Sequence, residues 1–220
     1  MLEHEASRLC RILLGLPSVS PLLNLGSSTA RFRETVQPHI ERDLFAPLRE
    51  AGVEAVHCDL KAGAGVDVAG DVLDPETAAK LKARGFGCIL VANLLEHVRD
   101  REALVRACEE IAGPGGLILA TVPSSYPYHA DPFDSRYRPS PQALAAAFGR
   151  SETLLAEEIV GPTYAEELRA AGSSAWKAMA ATAIRLPIAW ARPKSFASRL
   201  HRWRWYRRPY RVSIALVRVL

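Results

Sequence analysis

Four short apolar runs in the first half of the chain each end near a residue of a type that binds ligands. Gly26 follows the first run, Asp59 ends the second, Asp71 closes the third and Asn93 follows the fourth. A glycine lets the backbone approach a ligand closely, and a carboxylate can accept hydrogen bonds from both hydroxyls of a ribose. If the runs are neighbouring parallel strands, a nucleoside lying across their carboxyl ends would contact these residues.

The loop after the first run argues against a dinucleotide site. Gly26 is followed by Ser27 and Ser28, whose hydroxyls can donate hydrogen bonds, and then by Thr-Ala-Arg. A dinucleotide site uses the pattern G-x-G-x-x-G, whose glycines cradle a pyrophosphate at a helix N-terminus. The second and third glycines of that pattern are missing, so we expect no pyrophosphate at this loop.

Two histidine segments could take part in proton transfer. His129 lies in the stretch SSYPYHADPFDSRYRP, which we expect to overhang the crevice. A histidine there could remove a proton from a hydroxyl or an amine, and Tyr128, Asp131 and Arg138 could orient a polar ligand. The alternative is a proline-stiffened lid held by its own hydrogen bonds. For the adjacent Glu96–His97 pair we expect a structural role at the start of the next helix.

The patterns of strands and helices place these residues in a doubly wound α/β domain. Cys88–Ala92 and Leu117–Val122 are continuous apolar runs, and Arg101–Ala112 between them has apolar residues at helical spacing. Strand, helix and strand at this spacing form a βαβ unit, whose crossover joins parallel strands. Because both runs are apolar throughout, we expect both faces of the sheet to be covered, with a ligand crevice at the carboxyl ends of the strands.

The remaining elements follow from the same patterns. The other predicted strands are 21–25, 53–59, 153–160 and 210–220, and 66–72 is a third strand or an extended segment. The other predicted helices are 2–16, 76–84, 141–148, 164–171 and 176–190, the last of which is broken by Pro187. Residues 30–48 are interrupted by Pro38 and Pro47, so we expect a helix, an irregular turn and a second helix there.

The composition is typical of a globular protein of a reducing compartment. Of the 220 residues, 49% are hydrophobic and 24% are charged, and the four cysteines form no CxxC pair and no cluster with histidine. We therefore expect no disulfide framework and no metal site. Glu3 and Glu5 precede the first apolar run, which argues against a signal peptide, and no run is long enough to span a membrane. A cytoplasmic location is expected.

The charge is distributed unevenly along the chain. From residue 168 to the end there are 12 Lys or Arg and no Asp or Glu, whereas residues 1–167 carry 16 basic and 24 acidic residues. The stretch 192–211 interleaves eight basic residues with aromatic ones. Three interpretations remain open: a solvated face whose aromatic residues pack on the domain, a surface that docks on an anionic membrane, and, least favoured, a site for nucleic acid.

A resemblance to a known family joins these observations. The segments LLNLGSST, VHCDLK, VDVAGDVLD, ILVANLLEHV and GPGGLILATVP resemble the successive motifs of class I S-adenosylmethionine-dependent methyltransferases. The most specific part, NLLEHVRD followed by GPGG, is similar to the bacterial methyltransferases described as type 11. The resemblance covers about residues 20–160. It implies a seven-stranded, mostly parallel sheet with an antiparallel last strand, and S-adenosylmethionine as the cofactor.

The resemblance also assigns residues to parts of the cofactor. The first motif faces the methionine part, the acid after the second strand binds the ribose, the next motif lies near the adenine, and the fourth strand forms the floor. In this sequence the corresponding residues are Asn24, Gly26, Ser27, Ser28, Asp59, Leu60, Asp71, Val72, Asn93 and Leu94. Two departures from the family pattern are Ser28, where a second glycine is expected, and a long span between Gly26 and Asp59.

The resemblance implies one domain over 1–220. It would consist of an N-terminal helix (1–16), a cofactor-binding core (20–160), a basic and aromatic helical insertion (161–209) and a final strand (210–220). The implied activity is methyl transfer to an oxygen or nitrogen atom of a small-molecule or glycan- or lipid-linked acceptor. The alternative is a catalytically degenerate module that binds an anionic membrane, at the inner face of the membrane, or a protein partner.

Overall fold

A seven-stranded mixed sheet organises the part of the chain that the computed structural model describes, namely residues 1–129, 133–184 and 200–220. Its strands are β1 (Leu22–Leu25), β2 (Ala55–Asp59), β3 (Val68–Ala69), β4 (Cys88–Ala92), β5 (Leu117–Ser125), β6 (Ser151–Thr163) and β7 (Pro209–Val219). The strand order is β3-β2-β1-β4-β5-β7-β6. Strands β1 to β5 pair in parallel, and β7 is antiparallel to both β5 and β6. The predicted fold class is confirmed.

Helices connect these strands. They are α1 (Glu3–Leu14), α2 (Pro38–Ile40), α3 (Ala46–Glu50), α4 (Pro75–Lys82), α5 (Arg101–Ala112), α6 (Pro141–Ala146), α7 (Tyr164–Ala170) and α8 (Ala175–Ala183). Two π-helical turns, Phe32–Val36 and Glu41–Phe45, flank α2, and two 3₁₀ turns cover Leu95–His97 and Trp203–Trp205. The predicted interruption within 30–48 is confirmed at Gln37, the residue before Pro38, whose φ of −129° and ψ of 70° are not helical.

Side-chain caps fix where several helices begin. The Asp74 side chain accepts a hydrogen bond from the Thr77 amide at 3.0 Å, and the Ser140 hydroxyl accepts one from the Ala143 amide at 3.2 Å. In both cases a proline occupies the first helical turn, where its missing N–H leaves no bond unmade. The predicted starts of α4 and α6 are therefore confirmed.

Two hydrophobic clusters cover the two faces of the sheet. Successive residues of a strand point to opposite faces, so the continuous apolar run of β4 feeds both clusters. Ile89 and Val91 pack with α5 on one face. Leu90 packs on the other face with α1 and with the segment 40–48. The prediction that both faces are covered is confirmed.

The third strand is shorter than predicted. Only Val68–Ala69 pair with β2, and the prediction that Asp71 closes a strand is wrong. The Asp71 carboxylate instead accepts a hydrogen bond from the Leu73 amide at 2.9 Å, which turns the chain towards α4. An aspartate side chain that bonds to the backbone two residues later competes with strand pairing.

The basic C-terminal region is described only in part. Residues 185–199, which include the end of the predicted helix 176–190 and the start of the stretch 192–211, lie outside the described residues. The described part packs on the sheet: Trp205 donates a hydrogen bond to the Ser125 hydroxyl at 3.0 Å, and the Tyr210 hydroxyl donates one to Glu167 at 2.9 Å. Among the described helices, none has the length and hydropathy that crossing a bilayer requires.

Candidate functional site

A cleft of about 960 Å³ opens at the carboxyl ends of the central parallel strands. Ten residues that the sequence singled out as cofactor ligands line it together: Asn24, Gly26, Ser27, Ser28, Asp59, Leu60, Asp71, Val72, Asn93 and Leu94. His129 lines the same cleft, whereas Tyr128 and Arg138 are not among its lining residues. Asp131 lies outside the described residues. The ends of β1, β2 and β4 and the turn after β3 thus contribute residues to one cavity.

The loop after β1 has a left-handed backbone. Gly26 has φ of +73°, and a Cβ at this position would lie 2.9 Å from Cδ1 of Leu94. Ser28 has φ of +53°, a conformation that residues with a side chain adopt rarely. Such conformations persist only where neighbouring interactions enforce them, and they concentrate at functional sites.

Arg33 is one of the groups that enforce this loop conformation. Its guanidinium is buried, with 4% of the residue exposed, and donates to the carbonyl oxygens of Ser27 at 3.1 Å, Ser28 at 2.8 Å and Gly65 at 2.8 Å. Burial lowers the pKa of Arg33, although Glu41 and other acids oppose the shift. The guanidinium stays charged, because arginine remains protonated even in buried sites. Sequence reasoning missed this residue.

Asp59 joins the loops that follow β1 and β2. One carboxylate oxygen accepts a hydrogen bond from the Ser28 amide at 2.8 Å, and the other accepts one from the Lys61 amide at 3.1 Å. An ionised carboxylate has about four acceptor positions, so lone pairs remain for a ligand. Asp59 is therefore both a structural link and a polar group of the cleft.

His57 supports the floor of the cleft from β2. The side-chain amide of Asn24 lies 3.0 Å from Nδ1 of His57, and the imidazole packs edge-on against Phe45 with ring centroids 4.9 Å apart. Burial, assisted by the positive charge of Arg33, lowers the pKa of His57 to about 4. The neutral imidazole can accept the hydrogen bond from Asn24, and an imidazolium cannot.

A buried carboxylate of α1 reaches the other side of the cleft. Glu5 is fully buried and accepts hydrogen bonds from the Asn93 amide group and the Thr121 hydroxyl, each at 2.7 Å. Asn93 is itself left-handed, with φ of +52°. Glu5 thereby fastens α1 over the ends of β4 and β5 and orients the side chain of Asn93. Sequence reasoning did not find this contact, since 88 residues separate the two partners.

The lid after β5 is held together by Asp134. Burial opposes ionisation of this carboxyl, but hydrogen bonds from Arg138 and from the amides of His129 and Arg136 prevail, so its pKa lies below the usual value. Arg138 contacts both oxygens of Asp134, at 3.1 and 2.7 Å. These contacts match the alternative of a lid held by its own hydrogen bonds, and a contact of Arg138 with an acceptor stays a prediction.

We expected Glu96 and His97 to shape the start of α5. They lie instead in the 3₁₀ turn Leu95–His97, which precedes that helix. Asp100 caps that helix by accepting a hydrogen bond from the Ala103 amide at 2.9 Å. The Glu96 carboxylate is instead fully buried beside the cleft, where burial raises its pKa to about 7. The His97 ring packs edge-on against that of His129, with centroids 5.1 Å apart, and burial lowers the pKa of His129.

The support that Arg33 gives to the loop can be measured with Arg33→Met, which keeps the apolar stem and removes the donors. Three carbonyl oxygens lose their charged partner, so we expect the free energy of unfolding to fall by about 2–4 kcal/mol. Urea denaturation measures this value. Arg31→Met, two residues earlier on an exposed site, is the matched control and should change it by less than about 0.5 kcal/mol. Equal effects of the two variants would contradict the role of Arg33.

The buried neutral state of His57 predicts a stability that depends on pH. Between pH 6.5 and about 4 the unfolded chain binds a proton at His57 that the folded chain does not, so this contribution to stability is lost as the pH falls through that window. In His57→Gln an acceptor for Asn24 remains and cannot be protonated. Melting temperatures from pH 7.5 to 4.5 should decline more steeply in the wild type than in this variant. His4→Gln, at an exposed histidine, should behave like the wild type, and parallel curves for all three proteins would refute the assignment.

We compared the sequence and the structure with those of known proteins. No family model and no curated protein matches the sequence. Solved structures match the fold. A SAM-dependent methyltransferase from Archaeoglobus fulgidus aligns over 98% of this chain and 93% of its own, with 14% identity and a TM-score of 0.56. The N-methyltransferase NodS from Bradyrhizobium japonicum, in complex with S-adenosylhomocysteine, aligns over 98% and 85%, with 13% identity and a TM-score of 0.52. The [4+2]-cyclase SpnF aligns over 98% and 81%, with 14% identity and a TM-score of 0.54. The chain has the fold of class I S-adenosylmethionine-dependent methyltransferases.

Proposed function

We propose that this protein is an enzyme that transfers the methyl group of S-adenosylmethionine to an oxygen or nitrogen atom of a small-molecule or glycan- or lipid-linked acceptor. The observation that carries the proposal is the lining of the cleft. All ten residues that the motif resemblance assigns to the cofactor line one cavity, although they come from separate segments of the sequence. The cavity lies at the strand ends, where this fold class binds ligands.

The cleft fits a nucleoside cofactor in size and chemistry. Its volume of about 960 Å³ lies in the range of small-molecule sites. Each oxygen of Asp59 accepts one backbone hydrogen bond, so lone pairs remain that could bind a ribose diol. Leu60, 67% exposed, and Leu94 present apolar surface beside it on which a purine could pack. S-adenosylmethionine carries no phosphate, so the single glycine of the loop after β1 is compatible with it.

The chain's own residues would contribute position and proton transfer. When bound, the cofactor supplies an electrophilic methyl group on a sulfonium, which an acceptor displaces in line, the C–S electron pair remaining on sulfur. Alignment of the reacting atoms is then the main task of the protein. His129 lines the cleft and is our candidate to take the proton that a hydroxyl or amine acceptor loses. Asp134 holds the backbone amide of His129 at 3.1 Å and so fixes its place in the lid.

Calorimetric titration with S-adenosylhomocysteine, the demethylated product, tests the proposal. We expect one site per chain with micromolar affinity, and Asp59→Asn should weaken it at least about tenfold, or 1.4 kcal/mol, by removing the negative charge at the diol. Glu76→Gln, an exposed acid on α4, is the matched control and should leave the affinity unchanged. Absence of binding by the wild type at millimolar ligand would reject the proposal.

A second candidate function is docking on an anionic membrane, with or without catalysis. The C-terminal insertion (161–209) carries exposed apolar side chains: Trp176 is 75% exposed, Ile184 77% and Leu200 49%. The exposed residues Arg204, Arg207 and Arg208 have no acidic partner within 4 Å in the described parts of the chain. Apolar and basic side chains together are typical of surfaces that bind membranes peripherally.

One neighbour with this fold is described as a cyclase, so methyl transfer does not follow from the fold alone.

Vesicle co-sedimentation tests this second candidate. Vesicles of phosphatidylcholine with phosphatidylglycerol should bind the protein at low salt and release it at high salt, whereas pure phosphatidylcholine should not. Replacing Arg204, Arg207 and Arg208 with Gln should abolish binding. The control triple variant of Arg31, Arg84 and Arg106 removes the same charge elsewhere on the surface and should still bind. Equal loss in both triple variants would show a general charge effect and refute a dedicated surface.

A further inference from the structure

Glu96 carries a carboxyl group that is buried beside the cleft. None of the residue is exposed, and neither carboxylate oxygen has a hydrogen-bond partner among the described residues. Arg138, a cation whose field reaches Glu96, is bound to Asp134 at 2.7 Å. Buried carboxylates in proteins are ordinarily paired, hydrogen-bonded or bound to a metal. A bound cation would stabilise an unpaired carboxylate at this depth.

Two imidazoles lie beside this carboxylate. Nε2 of His97 is 3.8 Å from Oε1 of Glu96, and one ligand atom from each of Glu96, His97 and His129 lies within 4.8 Å of the others. Nδ1 of His97 makes a short hydrogen bond to the carbonyl oxygen of Phe133, which leaves the lone pair on Nε2. A histidine held in this way, by a carbonyl on its other nitrogen, has the arrangement that is usual for metal ligands.

We propose that Glu96, His97 and His129 bind one divalent transition-metal ion, of which Zn²⁺ is the representative. Two imidazoles and one carboxylate form a donor set that such ions prefer, and three protein ligands leave a coordination position open. Donors around a tetrahedral zinc lie about 3.4 Å apart, given bonds of about 2.0–2.1 Å. Small side-chain rotations in the lid and in the turn Leu95–His97 would close the present spacing.

The open position would face the proposed acceptor. His97 and His129 both line the cleft, so a hydroxyl or amine bound there could coordinate the metal. The metal would then lower the pKa of that hydroxyl or amine. In the metal-bound protein His129 would be a ligand and not a base, and the proton of the metal-bound acceptor would pass to solvent water. Binding of the metal itself does not depend on the proposed methyl transfer.

Calorimetry with Zn²⁺ tests the site on protein that is purified without a histidine tag and stripped with a chelator. The wild type should bind one Zn²⁺ per chain, and zinc should raise its melting temperature. Glu96→Gln and His129→Ala should each weaken binding at least about tenfold and remove that rise. His4→Ala, which removes an exposed histidine outside the cluster, is the control and should bind like the wild type.

X-ray absorption at the zinc edge of the wild type gives a test that does not need a stable variant. The proposal expects two imidazoles and oxygen ligands, and sulfur ligation from the buried cysteines would overturn it. Absence of stoichiometric binding, or equal binding by both ligand variants and the wild type, would also overturn it. The titration with S-adenosylhomocysteine is run in chelator, so failure of the metal site and failure of the proposed function are separate results.

Discussion

The conformation of the loop after β1 depends on a buried guanidinium. Arg33 donates to the carbonyl oxygens of Ser27 and Ser28 from below the loop, and Asp59 accepts from the Ser28 amide at its side. Together these contacts hold a left-handed serine where the resembling family usually has glycine. At Ser28 the left-handed backbone is therefore maintained by neighbouring side chains and not by the conformational freedom of a glycine.

Two glutamates are buried in or beside the cleft, and their surroundings differ. Glu5 is satisfied by Asn93 and Thr121, and its bonds fasten α1 to the sheet. Glu96 has no comparable hydrogen bond in the described structure, and burial raises the pKa of its carboxyl group. Glu5, whose carboxylate is hydrogen-bonded, stabilises the fold. Glu96, whose carboxyl oxygens have no hydrogen-bond partner in the described structure, can bind a cation.

The uneven distribution of charge has a partial structural explanation. Arg202 bonds to Glu167 at 2.7 Å and contacts the Tyr210 hydroxyl, so the basic segment is joined to the last acidic residue of the chain. Trp205 and Tyr210 are buried against the sheet, as the first of the three interpretations expects. Arg204, Arg207 and Arg208 remain exposed, although the Arg208 guanidinium lies over the Trp205 ring, 5.8 Å from its centroid.

The sequence alone determined the elements whose signals are local. The apolar runs of β4 and β5 and the caps of α4 and α6 lie within a few residues of the elements they define, so strand and helix positions could be predicted. The cleft residues could also be predicted, because the carboxyl ends of parallel strands share one edge of the sheet. The short β3 could not, since the Asp71 turn competes with pairing by one hydrogen bond.

Which side chains contact each other depends on the tertiary structure. Three contacts join residues that are far apart along the chain, and they depend on how loops and helices cross: Glu5 with Asn93, Arg33 with Gly65, and His97 with His129. Neither periodicity nor a motif encodes such a meeting, because it depends on the direction of each side chain after the backbone has folded. The pair Glu96–His97 shows the difference: its place after β4 was readable from the sequence, and its neighbour His129 was not.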